Sequence, residues 1–489
     1  MPGRATGRKR LTGMKPPDRC FCVSGSAKSS VLMTMNEKID RVHGGGRTTA
    51  LALLLGLWGF SAAWAGELPE RRDAVVEVVE RVMPSVVNIA TEEIVENRDP
   101  FEQMFREFWG PYHRRRPADT RYSLGSGVIM DEEGWVLTNM HVVQRARRVW
   151  VQLADGREFE AQPRIVGTAR TDVALLQILA KEGERFPAIQ FAADDDLMLG
   201  ETVLALGNPF GLGGSVSRGI LSSKNRRPPR EDEPLYIADW LQTDAAINPG
   251  SSGGPLVNLH GRLIGLSVAV YREGQGIGFA IPVKQVVEAL AEIVTPEVNQ
   301  SLWFGGRLRP GLPPLSFLSV QPGSPADAAG LKAGDRLISV NGQAPAGFMD
   351  AVNRIGSSPG RVASLAVRRE GETRTVQITL KPLMELIDQR LGLSVQELTS
   401  DLAQRFGYNP RDGLLIADVS PDGPAAGLDL RPGYLLVAVG GQPTPDLLSA
   451  AGSVMGLKPG DQVELTVAAW QQRGPFARLN RGTVRLRIP

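Results

Sequence analysis

Cysteine is almost missing from this chain of 489 residues: there are two, Cys20 and Cys22, both ahead of the first stretch that reads as folded. The rest of the chain therefore holds neither a disulfide framework nor a cysteine metal site. Histidine is nearly as scarce, at four. His43 lies in the leader, His113 in an insertion-like stretch and His260 on a predicted hairpin turn, none with a second ligand at metal spacing, so no metal and no organic cofactor is expected. An excess of charge is absent as well, since 55 Lys and Arg face 53 Asp and Glu. That argues against a nucleic-acid surface or a polybasic membrane patch and leaves substrate choice to local pockets. Long apolar runs are also lacking. Residues 50–65, ALALLLGLWGFSAAWA, follow Arg47 and end in Ala63-Trp64-Ala65 before Gly66, the pattern of a secretory signal with a cleavage site. A retained membrane anchor is the alternative, although the run falls short of the ~20 residues that span a bilayer. A start at Met33 or Met35 would give that signal ordinary proportions.

The length predicts roughly three domains. Short β-branched runs at 85–89, 127–130, 135–138, 148–153, 174–178, 202–206, 262–270 and 278–281, separated by Gly, Asn and Asp turns, point to an all-β barrel or sandwich. Residues 99–121 interrupt them with Phe101, Met104, Phe105, Phe108 and Trp109 at helical spacing. This stripe reads as core, or equally as a mobile loop or subunit contact. Farther on, Ser324-Pro325 through Ala328-Ala329-Gly330-Leu331 to Asn341-Gly342 returns as Ser420-Pro421 through Ala425-Ala426-Gly427-Leu428 to Gly440-Gly441. Such a repeat of roughly one hundred residues reads as two small β-rich modules, each with a short Ala-Ala-Gly helix, rather than as a solenoid.

The segment Gly250-Ser251-Ser252-Gly253-Gly254-Pro255 carries the chemistry. A serine hydroxyl needs an imidazole to take its proton and a carboxylate to orient that imidazole. His141, in Thr138-Asn139-Met140-His141-Val142-Val143, and Asp172, in Thr171-Asp172-Val173-Ala174-Leu175-Leu176, supply both from strand ends. Glycines beside the serine allow the tight turn that aims backbone N–H groups at an oxyanion. Each motif alone is weak, for a Ser-Gly-Gly-Pro string is usually only a turn; three together predict a serine peptidase. His141 and Ser252 are both expected on loops.

These motifs, with Gly207-Asn208-Pro209-Phe210-Gly211 and above all Gln242-Thr243-Asp244-Ala245-Ala246-Ile247-Asn248-Pro249-Gly250, resemble the HtrA family, the Do or Deg serine proteases of the bacterial envelope. The resemblance covers about residues 74–488, and the two repeats are similar to that family's PDZ domains. It implies a mainly β chain: a signal-bearing extension at 1–65, a chymotrypsin-like double β-barrel at 74–290, a shortened first PDZ domain at 300–382 and a second at 388–488. It further implies ATP-independent degradation of misfolded envelope proteins in the periplasm, C-terminal peptides as PDZ ligands, and homotrimers or their multiples. By position His141 is the general base, Asp172 its orienting carboxylate and Ser252 the nucleophile, with the N–H groups of Gly250 and Ser252 lining an oxyanion hole that in many members forms only after loops rearrange.

Departures from the family pattern shape the finer expectations. Ser251 stands where the family has Asn, and without an acid there activation by N-terminal clipping is not expected. Ala246, at the pocket base by fold analogy, carries no charge, and Ser267, Val268, Ala269, Val270 and Tyr271 form the opposite wall. A shallow apolar pocket favouring small or medium aliphatic residues is expected. The first PDZ module lacks the extended segment after its carboxylate loop, so Leu391, Gly392 and Leu393 of the second are the better candidate peptide readers. Two alternatives stay open: an envelope chaperone or scaffold with incidental proteolysis, and a membrane-tethered stress-signalling protease that cuts one regulator.

Overall fold

A computed structural model describes residues 71–93, 121–166, 171–194, 196–208, 214–226, 239–248, 250–270, 276–473 and 476–489. The expectations placed on residues 1–65, on most of 99–121 and on Tyr271 lie outside the described residues. Helix α1 (Ala74–Val82) starts at Asp73, whose carboxylate accepts the N–H groups of Val75 and Val76, both at 3.0 Å. Its apolar positions recur at helical spacing, and Val78 and Val82 are buried.

Six strands follow: β1 (Val86–Glu93), β2 (Arg121–Ile129), β3 (Trp135–Thr138), β4 (Ala146–Gln152), β5 (Glu158–Val166) and β6 (Ala174–Ile178). They close into an antiparallel barrel in the order β1-β2-β3-β6-β5-β4. Helix α2 (Met140–Val143) is a single turn between β3 and β4. A second sheet contains β7 (Gln190–Phe191), β8 (Thr202–Gly207), β9 (Ser215–Arg226), β10 (Trp240–Thr243), β11 (Pro255–Asn258), β12 (Arg262–Val270) and β13 (Gly278–Pro282), with β11 also pairing β12 so that the sheet returns on itself. The runs at 135–138 and 174–178 are strands with those bounds, whereas the sequence reading passed over β9, whose Ser, Arg and Lys residues hide its period-two pattern. Helix α3 (Val283–Ile293) then lays Val286, Val287 and Leu290 against the protein interior.

The first C-terminal module holds helix α4 (Pro296–Gln300), strands β14 (Leu302–Trp303), β15 (Gly306–Leu308) and β16 (Phe317–Val320), helix α5 (Pro325–Ala328), strand β17 (Arg336–Val340), helix α6 (Phe348–Gly356) and strands β18 (Val362–Arg369), β19 (Glu372–Thr379) and β20 (Lys381–Pro382). The second holds helix α7 (Leu383–Leu391), strand β21 (Leu393–Glu397), helix α8 (Ser400–Phe406), strands β22 (Leu414–Val419), β23 (Leu435–Val439) and β24 (Gln442–Pro443), helix α9 (Leu447–Met455) and the long hairpin β25 (Gln462–Arg473) and β26 (Phe476–Arg487).

Matched hydrogen bonds align the two modules. Phe317 N–H donates to Asp335 O and Gly334 N–H to Phe317 O, and Ile416 stands in the same relation to Tyr434 and Gly433. Gly305 O accepts from Gln321 N–H, and Gly392 O from Ser420 N–H. Gln321 therefore occupies the place of Ser420, and the Ser-Pro register read from sequence slips by three residues at this turn, because the second module needs fewer residues to reach its Ala-Ala-Gly turn. One apolar cluster runs from Val78, Val128 and Leu204 in the barrels to Phe317, Phe348 and Leu365 in the first module. The second module has another cluster, around Ile416, Leu436, Leu465 and Val454, which Trp303 of the first module joins. Among the described residues no helix is long and apolar enough to cross a membrane.

Candidate active site

Asp172 and His141 touch at one end of the first barrel, and the turn that carries Ser252 lies against the segment leading into His141. Asp172 sits just before β6 with φ +48, a left-handed conformation unusual for a residue with a Cβ. Its neighbours hold it there: its carbonyl accepts the N–H of Met140 at 3.1 Å and the side-chain amide of Asn139 at 3.0 Å. Its carboxylate, fully buried, lies 2.8 Å (Oδ2) and 3.0 Å (Oδ1) from Nδ1 of His141 and also accepts the backbone N–H of His141 at 3.0 Å. A carboxylate can only accept, so Nδ1 carries the hydrogen and Nε2 is the basic nitrogen. His141 lies on α2 rather than on the loop expected from sequence. The helical turn brings its N–H and its ring to the same carboxylate, which an extended segment would not.

Ser252 lies in the turn between β10 and β11 and is 5% exposed. Its neighbour Gly253 has φ +83, and a Cβ there would stand 2.3 Å from both Ser126 O and Thr138 Oγ1 and 3.2 Å from Asn139 N. Glycine is required because the serine turn is pressed against the segment that leads into His141's helix. Gly250, two residues before Ser252, has φ +89 and meets the same conformational requirement.

Sequence reasoning missed Ser126, the joint between the barrels. Its Oγ donates to Gly250 O at 2.6 Å and accepts from Asn208 N–H at 3.0 Å; its N–H donates to Ser252 O at 2.8 Å, and its carbonyl accepts Thr138 Oγ1–H at 2.8 Å. The signal was the string Gly125-Ser126-Gly127, where a Cβ on Gly125 would stand 2.6 Å from Val142.

The hydroxyl of Ser252 donates its one hydrogen to Val268 O at 2.7 Å. A proton committed to that carbonyl is not offered to an imidazole. Val268 corrects the pocket expected from sequence: its side chain is 1% exposed and packs in the core, and what it brings to the site is its carbonyl. Ser267 is likewise fully buried on β12, and Ser251 is nearly so, its N–H donating to Asn248 O. Ala246 is exposed, and its carbonyl accepts from Ser217 Oγ at 2.6 Å. Ala269 and Val270 lie on β12 beside them. In the second module Leu391 and Leu393 point into the core rather than toward a ligand, and the N–H of Gly392 closes α7 on Asp388 O at 2.7 Å. The surface left for a peptide there is the backbone of β21, which ends the sheet order.

Comparison with known proteins supports the same reading. A trypsin-like peptidase domain matches residues 125–266, and a PDZ domain matches residues 317–369. A probable periplasmic serine endoprotease DegP-like from Halomonas elongata is 34% identical over 436 residues, covering 80% of this chain and 89% of its own. Its counterpart from Ectopseudomonas mendocina is 35% identical over 447 residues, covering 81% and 90%. The chain belongs to the DegP-like serine endoprotease family. It is a periplasmic serine endopeptidase with a mainly β, trypsin-like domain followed by PDZ architecture. Among solved structures, an HtrA-type protease with a decapeptide is 31% identical and covers 63% of this chain and 98% of its own, at a TM-score of 0.36.

Proposed function

We propose that this DegP-like protease cleaves misfolded or damaged envelope proteins without ATP through an acyl-enzyme, with Ser252 as nucleophile, His141 as general base and Asp172 as the carboxylate that orients it. The observation that carries this reading is the grip of Asp172 on both the ring and the backbone of His141, just after the Thr138 hydroxyl and Asn139 N–H that lie against Gly253. Once Ser252 Oγ turns from Val268 O to His141 Nε2, it attacks the scissile carbonyl as its proton passes to the imidazole. The N–H groups of Gly250 and Ser252 stabilise the oxyanion, the C–N bond breaks, and the leaving amine takes the proton back. Water then repeats the sequence on the ester. The uncharged Ala246 favours small or medium aliphatic residues before the cut, and the PDZ modules recognise substrate or regulatory peptides by strand addition. Trimers or their multiples are the expected assembly.

Casein degradation by the chain from Gly66 onward tests this. Ser252→Ala should abolish cleavage, and Asp172→Asn, which leaves the imidazole in the wrong tautomer, should lower kcat about 10⁴-fold. Full activity of Ser252→Ala would overturn the assignment. Loss of cleavage in the unmutated chain with client aggregation still suppressed would favour a chaperone.

A further inference from the structure

The loop Trp303-Phe304-Gly305-Gly306 of the first module already holds a carboxylate. Phe304 N–H donates to Glu297 Oε1 at 2.9 Å and Gly305 N–H to the same oxygen at 2.7 Å, while Arg307 Nη1 reaches Oε2 at 3.2 Å. Glu297 is 2% exposed, a burial that an acidic side chain tolerates only when its oxygens are satisfied. Two successive backbone amides with a guanidinium beside them are the means by which a backbone nest takes a C-terminal carboxylate. The chain presents the acid deliberately. Thr295 Oγ1 caps α4 by accepting Val298 N–H, Pro296 fixes the first turn, and Ser301 ends it at φ 55. The helix rests on the C-terminal end of α6, where a Cβ on Gly356 would stand 2.3 Å from Gln300 Oε1. The nest itself is rigid: Gly305 has φ +82, and a Cβ there would stand 2.1 Å from Ser324 Cβ. Beyond it, the backbone of β15 runs on one side along β16, in the direction a docked peptide strand would follow.

We propose that Glu297 is an intrachain ligand that occupies the first module's carboxylate loop at the amides of Phe304 and Gly305, and that a peptide must displace it. The inference deepens the peptide-recognition part of the proposed function and rests on it. A tethered ligand competes at an effective concentration on the order of millimolar or higher, so a free peptide of ordinary affinity does not enter this nest while Glu297 is in place. The second module differs at the same point, since the amide of Gly392, equivalent to Gly305, is closed on its own helix by Asp388 O.

Hydrogen exchange by mass spectrometry on the full chain carrying Ser252→Ala tests the proposal. The probe is a pool of decapeptides randomised at the last four positions, offered with free or amidated C-termini. With Glu297 present, exchange at 304–305 should be slow and indifferent to either pool. With Glu297→Ala it should quicken at least tenfold, and the free-carboxylate pool alone should slow it again. Should Glu297→Ala melt the module, seen as lost protection across β17, β18 and β19, Glu297→Gln decides: it keeps an acceptor oxygen but no charge, and the free-carboxylate pool should still displace it. The proposal is overturned if the pool protects 304–305 equally with Glu297 intact, or never does so in either variant. Protection of 393–397 in that last case would leave peptide reading standing, whereas protection of neither module would remove both.

Discussion

The two C-terminal modules share a fold and differ in what covers them. On the face of β22 away from Ile416, Leu415 packs with Leu398, Ala403 and Tyr408 around α8, so the second module covers this side of its sheet with its own chain. The first module has no such helix. Arg309 to Ser316 bridge β15 and β16 directly, and Leu318, on the face away from Phe317, packs against the protease cluster of Val203, Leu241 and Val287. The protease domain does for the first module what α8 does for the second. The first module thus shares its core with the protease, whereas the second gathers a cluster to which the first contributes Trp303.

The largest effects should come from cutting these two cores. Phe348, fully buried on α6, belongs to the cluster that runs into both barrels. Phe348→Ala should cost about 3–5 kcal/mol and lower casein cleavage together with the main thermal transition. Leu465, equally buried on β25, belongs to the second module's cluster. Leu465→Ala should cost about 2–5 kcal/mol in a separate transition and leave cleavage of casein by the protease domain intact. Calorimetry with activity measured after each transition would separate the two, and a single shared transition for both variants would break the comparison.

An effect no larger than these should follow pH at the contact between protease and first module. Asp131, at the β2–β3 turn, has its Cβ 3.7 Å from the place a Cβ would occupy on Gly347. Burial pushes its carboxyl up from 3.8 to about 7, against the pull of hydrogen bonds from Trp135 and Glu133 N–H groups. An acid whose folded pKa lies above its unfolded one stabilises the fold fully below the lower value and loses that stabilisation as pH rises through the higher. The contribution, on the order of 4 kcal/mol, should therefore fade between about pH 4 and pH 7. Asp131→Asn should flatten the dependence of Tm on pH in that window, and an unchanged slope would remove Asp131 as its source.

How much of this was legible in the sequence follows from what each feature depends on. The proposed catalytic residues could be read because each sits in a short run whose glycines, Thr138 or Val173 leave a local mark, and the barrel strands could be read where β-branched residues alternate. What could not be read depends on distant contacts. Ser126 matters through Gly250, Asn208 and Thr138, far from it in the chain. Fold analogy places Val268 in a pocket wall with its four neighbours, but the pairing with β13 shifts register between Ser267 and Ala269, and Val268 is buried in the core. Glu297 gave no signal at all, since an acid in the first turn of a helix is ordinarily a solvated residue favoured by the dipole.

Smaller still is the clamp that joins the first module to the protease. Arg309 grips Asp194 with two bonds of 2.6 and 2.7 Å, both side chains about three-quarters buried. The hydrogen bond to Asp194 raises the guanidinium's already high pKa further. Arg309→Ala should cost about 1–2 kcal/mol and show as faster exchange at β15 and β16 with that of β21 and β22 unchanged. Equal acceleration in both modules would mean that the first is no more dependent on the protease than the second.

The finest contrast lies in how the two modules start their long helices. Asp446 caps α9 by accepting Ser449 N–H at 2.8 Å, whereas α6 begins at Gly347 with no side-chain cap. Helix α6 can do without one because Phe348, Met349, Ala351, Val352 and Ile355 are all buried, so tertiary packing holds it. Helix α9 buries fewer residues, Ala450, Ala451 and Val454, two of them alanines, and its start depends more on the cap. Asp446→Ala should cost about 1 kcal/mol, confined to the second module's transition. Gly347→Ser, whose extended φ of −167 admits a side chain, should return only a few tenths of a kcal/mol to the first. A gain at Gly347 as large as the loss at Asp446 would show that packing against the protease does not substitute for a cap, and would weaken the view that the first module draws its order from its neighbour.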